Sequence, residues 1–176
     1  MPVPRSDVPQ IVRDFARVNG AGEGGLPRAV RFRQDVEFER EPGSGFETLT
    51  AEQTVLVGTP GFLWQAERTS GALTFYRVVD GFFAGEGRLT VRILGSFPMA
   101  DARGPEIDLS EAMRYLAELP WAPDAMLGNP ALIWRHVGPR EVAVAMPLAF
   151  ATWSALLNNF VIEAASFDGS DIGVLH

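Results

Sequence analysis

The feature that most constrains the fold is a regular alternation of apolar and charged side chains over Ala29–Arg40. Successive side chains of a β-strand point to opposite faces of the sheet, so the pattern predicts a strand with one face in the core and one in water. Half-buried strands of this kind are typical of antiparallel sheets. The apolar side holds Val30, Phe32, Val36 and Phe38, and the charged side holds Arg31, Arg33, Asp35, Glu37 and Glu39.

Four further segments show strand patterns and are separated by short turns rich in Gly and Pro. The turn between the last two contains Asp80-Gly81, a dipeptide that favours chain reversal. Together with the first strand, these segments predict a five-stranded antiparallel meander. The predicted strands are Phe46–Val57, Phe62–Arg68, Ala72–Val79 and Gly87–Leu94.

Two helices have clear start and stop signals. Residues 6–18 place apolar side chains three and four positions apart, with Pro9 in the first turn and Gly20 just past the end. After a crossover over Gly95–Pro105, a second helix is predicted to begin with Asp108 or Ser110 as its cap and to end at Leu119, before a proline. One more helical turn is predicted over residues 123–127.

The remaining chain returns to strands, predicted over Ala131–Val137 and Glu141–Met146. Residues 150–157 fit helix or strand equally well, and Phe160–Phe167 with Ile172–Leu175 predict a final hairpin. The expected fold is a single α+β domain: a curved, half-barrel-like antiparallel sheet, built as one long sheet, with one main helix and an N-terminal helix packed on it. Its expected parts are 1–25 (helix and Gly-rich connector), 28–95 (meander), 96–128 (crossover and helix) and 131–176 (C-terminal strands).

Composition excludes several chemistries. All 15 basic residues are arginine and there is no cysteine, which removes lysine nucleophiles, thiol catalysis and thiolate metal sites. With 2 His and a net charge of −7, we expect no metal site, no cofactor and no nucleic-acid partner. Neither a signal peptide nor an apolar stretch of about 20 residues is visible, which predicts a cytoplasmic protein without an integral membrane segment.

The segments RFRQDVEFER, PGFLWQA, DGFFAGEGRLTVRILG and ADARGPEIDLSEAMRYLAELPWAP resemble an uncharacterised bacterial family, a domain of unknown function. The later LIWRHV strand extends the resemblance, which covers most of the chain from about Pro27 to Val137. Its most specific part is the helix and its exit, where Arg114-Tyr115-Leu116, Glu118 and Trp121-Ala122-Pro123 fall where the family pattern has them, although Ala122 stands where the family usually has a large aromatic residue. The resemblance implies a family but no reaction.

The strand-rich layout also resembles, more distantly, the periplasmic lipoprotein-carrier fold, in which helices cover the concave face of a curved sheet. That resemblance implies acyl-chain binding in the concavity and leaves a periplasmic or membrane-associated location open. The chain ends at His176, whereas the family continues through further strands. A shortened sheet would leave an exposed edge.

The candidate site residues are aromatic and charged side chains that could surround an apolar or amphipathic, lipid-like ligand between sheet and helix. The tryptophans would provide contact area, and Arg77 or Arg114 would meet an anionic head group. The pair Arg114–Glu118, four residues apart on one helix, is expected on the surface. The candidate set is Trp64, Arg77, Arg114, Tyr115, Glu118, Trp121, Trp134 and His136.

Three functions stay open. The first is non-catalytic binding of a lipid-like small molecule. The second is an interaction module that pairs through an exposed sheet edge, as a monomer with a partner or as a homodimer. The third is an enzyme, for which Glu118 and His136, brought together by folding, are the candidate acid–base pair. No catalytic residue is predicted beyond that pair, so binding is expected rather than catalysis.

Overall fold

The computed structural model describes residues 5–39, 43, 45–70, 73–94, 96–156 and 159–166. These residues form an α+β fold with two antiparallel sheets and three α-helices, which confirms the predicted class. Within these ranges, no helix has the length and apolar character required to cross a membrane.

The larger sheet is a six-stranded meander in which every strand pairs with its neighbours in sequence, in the order β1-β2-β3-β4-β5-β6. It is curved but not closed. The alternation in the first strand is confirmed: Val30, Phe32 and Val36 are half-buried, and the charged side chains between them are mostly exposed. The strands are β1 (Ala29–Glu39), β2 (Phe46–Leu56), β3 (Gly61–Ser70), β4 (Leu73–Phe83), β5 (Glu86–Ile93) and β6 (Phe97–Ala102).

Two predictions for this sheet were wrong. β4 runs through Asp80-Gly81 to Phe83, and the chain reverses at Ala84-Gly85, both of which have positive φ. Asp80 is tolerated inside a strand because the covering layer supplies its ion-pair partner, as described below. The predicted crossover contains β6, an edge strand whose side chains are almost all exposed and which therefore lacks an apolar alternation.

Three helices cover the interior: α1 (Gln10–Val18), α2 (Pro105–Glu118) and α3 (Pro123–Gly128), with a 3-10 turn over Leu119–Trp121 between the last two. α1 packs against α3. The cap of α2 is Gly104 rather than Asp108 or Ser110. The Asp108 carboxylate instead accepts a hydrogen bond from the Gly87 N–H at 2.7 Å, joining α2 to β5.

The close approach of α2 to β5 requires glycine at position 87. A Cβ at that position would lie 2.7 Å from the backbone oxygen of Ile107, a distance that real Cβ atoms essentially never show. The helix therefore rests directly on the strand backbone. This contact fixes the height at which the α2 side chains meet the inner face of the sheet.

The later strands form a separate four-stranded sheet in the order β10-β9-β8-β7, so the prediction of one long sheet was wrong. Of the ambiguous segment 150–157, the described residues 150–156 form a strand, which pairs with the first arm of the predicted final hairpin. The second arm, Ile172–Leu175, lies outside the described residues. The strands are β7 (Ile133–Gly138), β8 (Glu141–Met146), β9 (Ala149–Leu156) and β10 (Asn159–Ser166).

The core is one apolar cluster to which α1, α2, α3 and both sheets contribute. Between α2 and the large sheet, Phe62, Phe82, Tyr115 and Leu116 are each at most 1% exposed. These large, completely buried side chains fill the space between α2 and the sheet, where a ligand was predicted from the sequence.

Candidate functional site

Three inward-facing side chains lie next to each other across the middle of the large sheet. Gln53 of β2 is opposite Trp64 of β3, and Trp64 is opposite Asp80 of β4. Gln53 and Asp80 are buried, while Trp64 is partly buried and donates its indole N–H to Gln34 at 2.8 Å. Buried polar side chains at the centre of a sheet need partners from the layer that covers them.

α2 supplies those partners. Glu111, Arg114 and Glu118 are three and four residues apart and therefore share one face of the helix. The Arg114 guanidinium binds Asp80 through Nη1 and Glu118 through Nε, the second bond being 2.8 Å. The Gln53 amide donates to the other Glu118 oxygen at 2.5 Å. We call Gln53, Asp80, Glu111, Arg114 and Glu118 the carboxylate cluster.

Arg114 is also stacked on aromatic rings. Its guanidinium carbon lies 5.0 Å from the centre of the Phe62 ring and 5.1 Å from that of Trp64. Both distances are within the range of cation–π attraction. Two carboxylates and two rings thus hold this arginine, and its side chain is only 27% exposed.

The cluster holds three carboxyl groups against one guanidinium. Burial, and then the neighbouring Asp80 charge, raise the pKa of Glu111 to about 7. Burial likewise raises the pKa of Asp80, against the opposing effect of Arg114. Among the described residues, Asp80 Oδ1 and Glu111 Oε2 are buried without a hydrogen-bond partner. The two carboxyl groups are within hydrogen-bonding reach of each other, so a proton on Glu111 allows it to donate to Asp80.

A carboxyl pair with raised pKa is also found in acid–base catalysts. Here, however, Asp80 and Glu111 are only 5% and 6% exposed, between α2 and the large sheet. A substrate cannot reach them in this structure, and the raised pKa of Glu111 favours one proton held between the two groups. In the part of the chain that the structure describes, no three His, Asp or Glu side chains are arranged to hold a metal ion.

The structure forms the predicted Arg114–Glu118 pair, but not on the surface, because it contacts the inner face of the sheet. Tyr115, the next candidate, is fully buried on α2, and its hydroxyl oxygen accepts a hydrogen bond from Asn129 at 2.7 Å. Burial raises the pKa of the Tyr115 phenol well above its usual value. Tyr115 is therefore part of the core.

The candidate residues Trp121, Trp134 and His136 lie on other elements than α2. Trp121 is 57% exposed and meets Phe32 edge-on, with ring centres 6.3 Å apart. Trp134 is buried in β7, and His136 is exposed on the same strand. Among the described residues, Glu118 accepts hydrogen bonds from Arg114 and Gln53 rather than from His136.

Arg77 lies on the opposite face of the sheet from α2, in a groove of about 580 Å³ along β3, β4 and β5. We call this the arginine groove. A second depression of about 480 Å³ continues it across β2 and shares Gln65 and Arg77. The groove is lined by Leu63, Gln65, Arg77, Val79, Gly81, Phe83, Glu86, Gly87, Arg88, Thr90, Arg92 and Arg103.

Four arginines surround the groove, and they differ in their pairing. Arg88 binds Asp101 through two nitrogens, at 3.0 and 2.9 Å, and Arg103 binds the same carboxylate at 3.3 Å. The two arginines lower the pKa of Asp101 to about 2. Arg77 lies 2.6 Å from a Glu67 oxygen.

Arg92 forms no ion pair with any described residue, so its guanidinium is available to a ligand. Arg77 was a candidate site residue from the sequence, whereas Arg88, Arg92 and Arg103 were not. A usable signal was present: Arg88, Thr90 and Arg92 alternate with apolar residues on β5, so all three face away from the core. Arg103 follows β6, and only the pairing of β6 with β5 brings it to the groove.

The model of a family of unknown function, DUF6544, matches residues 5–159. No curated protein and no solved structure matches the chain. The match covers the three helices, the large sheet, the carboxylate cluster and the arginine groove. The chain therefore belongs to the DUF6544 family, whose function is unknown.

Proposed function

We propose that this protein binds an amphipathic anion, without catalysis, in the arginine groove. The proposal rests on four arginines that surround a partly apolar groove on the face of the large sheet that α2 does not cover. The proposed ligand belongs to the class predicted from the sequence, but its proposed site is on the face of the large sheet opposite to α2. The space between α2 and the sheet is filled by fully buried side chains.

The groove suits a ligand with a charged head and an apolar chain. Arginine presents several N–H donors in a planar fork that matches carboxylate and phosphate oxygens. Arg92, unpaired among the described residues, would contribute the strongest new contact. Leu63, Val79 and Phe83 form an apolar strip, and Phe83 is 44% exposed. The volume lies within the range of about 300–1,000 Å³ typical of small-molecule sites.

Calorimetric titration with decyl phosphate, kept below its micelle concentration, tests this proposal directly. The matched variants are Arg92→Ala in the groove and Arg31→Ala, an exposed arginine on β1 of the same sheet. We expect decyl phosphate to bind, Arg92→Ala to weaken binding by about tenfold, and Arg31→Ala to leave it unchanged. The uncharged amphiphile decyl maltoside should bind far more weakly.

Two results would refute the proposal. One is the absence of decyl phosphate binding to the unmodified protein. The other is equal affinity for decyl phosphate in Arg92→Ala, Arg31→Ala and the unmodified protein, which would show that the groove arginines do not recognise the head group. Native mass spectrometry of protein purified from cells, before and after solvent extraction, would show whether a ligand is already bound.

A further inference from the structure

Three hairpins of the large sheet turn at the same end, and that end is unusually apolar. The cross-strand register aligns them, since Thr50 pairs with Glu67, and Tyr76 pairs with both Arg68 and Ile93. The last pairs of the three hairpins are Glu39–Phe46, Ser70–Leu73 and Ile93–Phe97. Of 13 large apolar side chains exposed among the described residues, 7 lie at this end, so the clustering is not an even scatter.

The most exposed of these side chains are Phe46, Leu73, Leu94, Phe97 and Met99, which we call the apolar rim. Their exposures are 72%, 63%, 57%, 67% and 68%. Soluble monomers rarely leave a large contiguous apolar surface in water, and such surfaces mark protein or membrane contacts. They come from three separate hairpins, as expected for a surface that meets a broad, flat partner.

Arginines stand directly behind the rim. Arg92 is two residues before Leu94, and Arg77 is two residues after Phe75 on the outer face of β4. Arg68 lies over the Phe75 ring at 5.4 Å. Arg68 and Arg77 are paired with Glu47 and Glu67, whereas Arg92 forms no ion pair with a described residue and can meet a head group. An apolar tip with this arginine behind it matches the layering of an anionic bilayer, in which the acyl region lies beneath a layer of negatively charged head groups.

We propose that the apolar rim inserts into the head-group boundary of an anionic lipid bilayer. The arginine groove runs along β4 and β5 toward the rim, so insertion would bring it to the lipid head groups. That connection rests on the function proposed above, because it makes the bilayer the source of the groove's ligand. Since the whole chain carries a charge of −7, attraction to head groups alone would not suffice, and insertion of the rim supplies the main affinity.

Sedimentation with vesicles tests the insertion. We expect binding to vesicles of phosphatidylglycerol and phosphatidylcholine at equal parts, and weaker binding to phosphatidylcholine alone. The double variant F97S/M99S should lose at least about tenfold in affinity. The matched control is I133S/V137S, which alters two exposed apolar side chains of β7, at 58% and 50% exposure, and should bind like the unmodified protein.

Each outcome supports or overturns the inference. Binding to no vesicle, or unchanged binding by F97S/M99S, overturns it. A dimer in light scattering that F97S/M99S converts to a monomer, with no vesicle binding, shows that the rim meets a second copy instead. Thermal unfolding of the variants checks that the fold is retained. Decyl phosphate binding should persist in F97S/M99S, so that failure of the rim and failure of the groove give different results.

Discussion

The two faces of the large sheet both carry arginines and carboxylates, but in opposite surroundings. On the inner face, Arg114 of α2 contacts Asp80, Glu118 and two aromatic rings between the helix and the sheet. On the outer face, Arg92 has no ion-pair partner among the described residues and faces water. Charged side chains that are buried and fully ion-paired connect elements of the fold. Charged side chains that are exposed and lack an ion-pair partner remain available for a ligand. Substitutions on either face test this difference.

The largest effect is expected for Arg114→Ala. Removing the guanidinium leaves the buried Asp80 and the partly buried Glu118 without their cation, and breaking a buried ion pair in this way costs about 3–5 kcal/mol in the free energy of unfolding. Urea unfolding measures the change. Arg92→Ala on the outer face is the matched control and should unfold at nearly the wild-type midpoint. Equal midpoints for the two variants would remove the distinction between the faces.

Gly87→Ala is expected to have the next largest effect. The new Cβ would meet the Ile107 backbone oxygen, so α2 must move away from β5 at a cost of about 1–3 kcal/mol. Thermal and urea unfolding measure this loss of stability. The two nearest obstacles are backbone atoms of Ile107 rather than its side chain, so adding Ile107→Ala should not restore stability. Restoration by that second substitution would show that side-chain packing, and not the helix–strand distance, limits position 87.

Glu111→Gln should change how stability depends on pH. The pKa of Glu111 is about 7 in the folded protein, against an ordinary value of 4.5, so the folded state binds more protons between these pH values. The free energy of unfolding therefore falls as pH rises from about 4.5 to 7, and it stays lowered above pH 7. The amide introduced by Glu111→Gln has no proton to lose and can still donate to Asp80.

Compared with the wild type, the Glu111→Gln variant should gain stability as pH rises, by on the order of 3 kcal/mol at pH 8, and little near pH 4.5. Urea unfolding from pH 4.5 to 8 measures this difference. The groups facing Glu111 are Asp80, Arg114 and Glu118, and all three remain. Glu106→Gln, an exposed change on the same helix, should leave the shape of the pH curve unchanged. Parallel curves for Glu111→Gln and the wild type would contradict a stored proton.

The same contrast explains what could be predicted from the sequence. β1 was predicted because its alternation is a local consequence of one wet face, and the Arg114–Glu118 pair because helical spacing is local. Asp80 was assigned to a turn because its partner lies 34 residues away. β6 was missed because an exposed edge strand carries no apolar pattern. Local periodicity therefore predicted the elements, while the carboxylate cluster and most of the arginine groove depend on which elements meet.

The smallest effect on stability, and the most informative for the outer face, is expected for Asp101→Asn. Asp101 is exposed and neutralises Arg88 and Arg103 at the groove. Exposed ion pairs contribute little to folding, so the urea midpoint should stay close to the wild-type value. Removing the carboxylate frees both guanidinium groups, and the affinity for decyl phosphate should rise several-fold. Asp14→Asn, which removes an exposed carboxylate paired with Arg17 on α1, should leave that affinity unchanged. If Asp101→Asn instead lowers the midpoint as Arg114→Ala does, then Asp101 is a structural anchor, and the outer face follows the same rule as the inner one.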